Sequence, residues 1–139
     1  FAENMIMVTA NVTMTKNLTV QGTKNRLVET KSYGKRLLNA VESAYSVFED
    51  FGIAFTDESG FCEVVIDPIF LETVNTSYEY YIFLTSFNGG QITVYEKGRN
   101  SFKVKGTPNT QFDWRICARQ RDYEDIRLAI AGGSNEIKK

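Results

Sequence analysis

Residues 110–121 read TQFDWRICARQR. Phe112, Trp114, Ile116 and Ala118 fall on one side, and Asp113, Arg115, Arg119 and Arg121 on the other. A period of two with one apolar side is the signature of a half-buried strand. Upstream, FCEVVID at 61–67 is a strand with Val64 and Ile66 on one face, stopped by Pro68. IFLETVN at 69–75 reads as one short helical turn. YEYYIFLTSF at 78–87 is β-branched and aromatic, and Asn88-Gly89-Gly90 behind it is a hairpin signal leading into QITVYEKG. Asn100 marks a second turn before SFKVKG. The segments RLLNAVES (36–43) and YSVFEDFGIAF (45–55) are compatible with strand or helix. Gly52 inside the latter suggests a bend or turn. Strands joined by short turns predict a mainly β body, an antiparallel sandwich or barrel, over 24–130.

The segment before this body differs. NVTMTK (11–16) and NLTVQG (17–22) are two copies of one six-residue unit. Apolar and polar residues alternate within each, so Val12, Met14, Leu18 and Val20 share a side. Such a strip cannot form a core alone and needs neighbours, which in repeat architectures are further copies. Two readings stand: a fibre-like β repeat over 1–23 whose neighbours are other chains, or a hairpin turning at Lys16-Asn17. Residues 23–35 are polar and basic, with Lys24, Arg26, Lys31, Lys35 and Gly34, and read as a linker. The tail 131–139 is polar and expected to fray. Phe1 is not a natural start, so the chain is expected to be a fragment, a processed product, or a sequence lacking its first residues.

Composition narrows the chemistry. The chain has 139 residues, 16 Lys plus Arg against 17 Asp plus Glu, and no histidine. Without imidazole there is no Ser-His-Asp or Cys-His nucleophile, and no His-ligated metal site. A net charge of −1 lacks the basic excess that a nonspecific nucleic-acid binder needs. No apolar run approaches the roughly 20 residues of a membrane span, and no signal peptide is visible. No phosphate loop is present, and no metal site is expected. Cys62 and Cys117 have no zinc or redox spacing, and read as buried thiols or one bridge. Carboxylates are plentiful, but no spacing singles out a glycosidase pair. Lys31-Ser32, and Ser101 near Lys103, are adjacent in sequence only. Asn11, Asn17 and Asn75 match the glycosylation pattern, which without secretion reads as chance. Tyr78, Tyr80, Tyr81 and Phe87 are sugar-stacking, core or interface-anchor residues. Arg115, Arg119 and Arg121 are either a phosphate-binding face, or a face paired with carboxylates, Asp113, Glu124 and Asp125 being nearest, or a salt-bridged subunit interface that holds a trimer.

The stretches KNRLVETKSYGKRLLNAVES, FEDFG, VVIDPIFLETVN, YYIFLT and FDWRICARQRDYEDIRL run in order over residues 24–128. Together they resemble a domain at the C-terminal end of bacteriophage tail-spike, fibre or neck-appendage proteins. The resemblance implies an intramolecular chaperone, a homotrimer that nucleates folding of the preceding shaft. It implies the host-cell cytoplasm during assembly, or the virion tail or appendage if the domain is retained. In several such proteins the domain is released by self-cleavage at its N-terminal edge, and for neck appendages ATP is involved in release. No Ser-Asp dipeptide occurs here, so a scissile bond would lie before Phe1, and no catalytic residue carries over. If ATP binds, Arg115, Arg119 and Arg121 are the physical candidates for its phosphates. The competing expectation is a host-receptor or glycan-binding tip.

Overall fold

The structure is a computed structural model, and it describes residues 6–130. Contacts divide the chain into two units, one ending at Glu42 and one beginning at Ser43. The polar tail, and the first five residues of the repeat, lie outside the described residues.

In the first unit, residues 6–24 form no paired strand. The backbone bends at Thr15-Lys16 and again at Gln21-Gly22, the same two positions of each six-residue copy. The hairpin reading of this segment is therefore corrected, because the copies are not paired with each other within the chain. The linker reading of 23–35 is corrected too. Asn25–Thr30 (β1) pairs antiparallel with Gly34–Asn39 (β2), setting Leu27 against Leu37 and Glu29 against Lys35. Gly34 takes φ 68° to close the turn, and the Thr30 hydroxyl donates to its carbonyl at 2.8 Å. The basic composition that suggested a linker belongs to strands wet on both faces.

Among its described residues, the second unit contains two three-stranded antiparallel sheets and one short helix. The first sheet has the order β3 (Val47–Phe55), β8 (Gln111–Arg119), β5 (Tyr81–Ser86). The second has the order β4 (Phe61–Val65), β7 (Ser101–Gly106), β6 (Ile92–Lys97). The core gathers Phe112, Ile116 and Ala118 of β8 against Phe102 and Val104 of β7, with Val64 and Ile66 beside them. Phe102 and Trp114 meet edge-on at 5.8 Å, one from each sheet. The central strands supply the most buried residues because each has a hydrogen-bonded neighbour on both sides and a facing sheet on the third.

Three features position the surfaces discussed below. Gly52 lies in mid-strand rather than at a turn, because the Trp114 indole comes within 2.7 Å of where a Cβ would sit. The Asn88-Gly89 turn has the expected positive φ values, 56° and 73°, yet it does not make a hairpin. It carries the chain from β5 in the first sheet to β6 in the second, and the true hairpin is β6–β7. Finally, Pro68–Thr73 (α1) is capped by the Asp67 carboxylate, which accepts from the Ile69 and Phe70 amides at 2.7 and 3.1 Å. Pro68 begins the helix where its missing N–H costs nothing.

The loops that cross between sheets are fastened to one another. The buried Thr56 hydroxyl donates to the Thr107 carbonyl at 2.6 Å and accepts from the Thr110 amide at 2.8 Å. The Gly106 amide donates to the Gly60 carbonyl at 2.8 Å.

Candidate functional site

Alternation along β3, β8 and β5 sends one set of side chains into the core and another outward. The outward rows, read across the sheet, are Phe51–Arg115–Phe83, Ile53–Asp113–Thr85 and Glu49–Cys117–Tyr81. An antiparallel sheet with one wet face normally sets polar residues there. This face instead exposes Phe51 (74%), Ile53 (61%), Phe55 (61%), Phe83 (51%) and Tyr81 (48%). The Arg115 guanidinium lies 4.5 Å from the Phe83 ring centroid, a cation–π contact. A shallow open depression runs between Phe51, Ile53, Phe83, Asp113 and Arg115.

The outer face of the other sheet is built differently. Lys103 pairs with Glu96 at 2.8 Å, and Ser101 donates to Glu63 at 2.6 Å. Lys105 lies 5.7 Å from the Tyr95 ring, which meets Phe61 edge-on at 5.9 Å. The hydrogen bond to Glu96 pushes the Lys103 ammonium above its ordinary pKa. A lysine acting as a base needs the opposite shift. Ser101 and Lys103 are each engaged by a carboxylate instead of by each other, and Lys31-Ser32 lies at the exposed β1–β2 turn.

The three candidate arginines go to three places. Arg115 lies on the apolar face just described. Arg119, roughly 13 Å further along β8 at strand rise, sits 4.4 Å from the Tyr45 ring and 5.4 Å from the Tyr78 ring. It also donates to the Glu124 carbonyl at 2.9 Å. Arg121 follows the strand and caps α1, donating to the carbonyls of Leu71, Glu72 and Val74. Their partners among the described residues are aromatic rings and backbone carbonyls, and none pairs with the carboxylates of Asp113, Glu124 or Asp125. The Glu124 carboxylate accepts from Asn75 at 2.7 Å, and that hydrogen bond, with the residue's own amide, holds its pKa below the usual range.

The remaining candidates are scattered. Tyr80 is buried with its hydroxyl on the Gly98 carbonyl, Tyr78 is stacked by Arg119, and Phe87 stands at the turn between the sheets. Only Tyr81 of that set lies on the apolar face. Cys62 and Cys117 are free, half-buried thiols in different sheets, both pushed up in pKa by burial. The apolar face itself was missed by sequence reasoning. Its signal was present: Phe51, Ile53 and Phe55 fall at a period of two in a segment whose other parity holds only Gly52 and Ala54 between them.

The chain matches no protein-family model, no curated protein and no solved structure. Among the described residues, no helix is long and apolar enough to cross a membrane.

Proposed function

We propose that this chain is the C-terminal assembly domain of a bacteriophage tail spike, fibre or neck appendage. In this reading it gathers three copies and sets their preceding shafts in register, acting in the host cytoplasm during assembly. The observation that carries the reading is the state of residues 6–42. The two copies at 11–22 alternate apolar and polar side chains, and not one residue of 6–42 is buried. Val12, Met14 and Leu18 are more than half exposed, as are Leu27, Leu37 and Leu38 of the hairpin. A lone two-stranded hairpin is marginal in water, and a strip of alternating residues without a partner is no more stable. The missing partner is supplied economically by the same segment of other copies.

Physical reasoning says why a shaft needs such a domain. Fibrous β trimers have high contact order, and three chains must find register before any contact offsets the loop-closure cost. A trimeric head holds the shaft ends at an effective concentration on the order of millimolar. Once the shaft has formed, the head is dispensable, so release by self-cleavage belongs to the same proposal. ATP would enter through release, and the arginines offer it no common site, since they lie in three places.

The exposed aromatics favour one second reading, a glycan- or receptor-binding tip. The mass of the parent appendage in mature virions separates the two. A protein short by this domain supports the released chaperone, and a full-length protein supports the tip.

A further inference from the structure

The geometry points to the outer face of the β3–β8–β5 sheet as the surface on which copies of this chain pack against one another. This rests on the assembly reading above and goes on to name the face of the body that would bring the copies together.

Size is the first argument. Large apolar and aromatic side chains present about 200 Å² each, so Phe51, Ile53, Phe55, Tyr81 and Phe83 at their observed exposures leave on the order of 600 Å² of apolar surface in one sheet face. That is at the top of the range for the largest patch on a monomer, and close to the roughly 800 Å² per partner of a standard stable interface. The second argument is contrast within the molecule. The other sheet's outer face, with the same strand number and pairing, is laced with Glu63, Lys103, Glu96 and Lys105, as a water-facing sheet should be. That outer face also exposes Phe61, Val65 and Tyr95, but interleaves them with charges, and the β3–β8–β5 face carries the larger apolar surface.

Charge supplies the third argument and names the occupant. Two opposite charges, Asp113 and Arg115, lie two residues apart in the central strand of this face. Neither has an ion-pair partner among the described residues. Arg115 is flanked in register by Phe51 and Phe83. A surface carrying one acid and one base inside an apolar frame complements itself: Arg115 of one copy meets Asp113 of the next, and no net charge accumulates as copies are added. A sugar platform would instead need a set of convergent polar groups around an aromatic, and this face offers few.

The test is sedimentation of the full chain from about 10 nM to 100 μM, a range reaching from weak contacts into the nanomolar affinities of standard interfaces. Phe51→Glu and Arg115→Glu are each expected to weaken association at least tenfold, with Trp114 fluorescence unchanged as the sign of an intact body. Asp113→Arg should do the same by placing two bases together. Mixing the Asp113→Arg chain with the Arg115→Glu chain should restore association in part, matching two of the three contacts of a trimer, which a mere loss of folding cannot do. If the wild-type chain stays monomeric throughout, the assembly reading fails and this inference falls with it. If the wild type associates and all three variants associate equally well, the face is overturned while assembly through residues 6–42 stands. If Phe51→Glu abolishes binding to an oligosaccharide panel while leaving association intact, the face is a sugar platform and the inference is likewise overturned.

Discussion

At the residue scale, glycines report how closely neighbouring strands approach. A Cβ on Gly106 would run into the Gln91 carbonyl and the Ile92 Cα, both backbone. Backbone cannot rotate away as a side chain can, so Gly106→Ala should cost about 3 kcal/mol, read as a lower denaturation midpoint in urea. Gly89 has a positive φ but nothing near its missing Cβ. Gly89→Ala should therefore cost only the left-handed backbone penalty, about 1 kcal/mol. Equal losses at the two sites would contradict the close approach at Gly106.

Glu124 gives a pH-dependent prediction. Its folded pKa lies below the unfolded value, chiefly because Asn75 donates to its carboxylate. The folded state therefore binds the proton less readily than the unfolded state. Stability from this contact is complete above the unfolded value of about 4.3, and is lost as pH falls through the depressed folded value. Asn75→Ala should lower stability at neutral pH and narrow the gap to wild type in acid. Denaturation midpoints of both chains from neutral to acid pH check this. A gap that stays constant would show that Asn75 acts through packing alone.

At the scale of elements, the repeat and the hairpin carry the sharpest expectation. Leu18 lies in a strip that has no strand partner among the described residues. Leu18→Asp should weaken association by about 2 kcal/mol, or about thirtyfold, while the body's near-ultraviolet dichroism stays native. Unchanged association would make the repeat a surface segment. Much at this scale was legible in the sequence. The alternation of 110–121 announced β8, and the short helical turn read at 69–75 is α1, which begins one residue earlier at Pro68. Pairing was less legible. Asn88-Gly89 fixes a turn, but a turn does not say whether its two strands share a sheet, and here they do not. Likewise Gly52 and the basic residues of 23–35 suggested a bend and a linker. A glycine opposite a large indole, and a hairpin wet on both faces, carry the same local signals. The arginines show the limit most clearly. Spacing put Arg115, Arg119 and Arg121 on one side of a strand, but Arg119 is claimed by tyrosines from distant segments and Arg121 by a helix end. Neither partner could be found from spacing along 110–121.

At the scale of the whole molecule, the two units are unlike in kind. One encloses its own core between two sheets, with Phe102, Phe112 and Ile116 wholly buried. The other buries none of its described residues. A chain built this way is half self-sufficient: the body has a core of its own, while on the proposed reading the repeat and hairpin await partners. The central claim is that those partners are further copies of the same chain. Light scattering coupled to size separation of the full chain at micromolar concentration tests it most directly. The account predicts a single species with the mass of three chains, and a single species with the mass of one chain would contradict it.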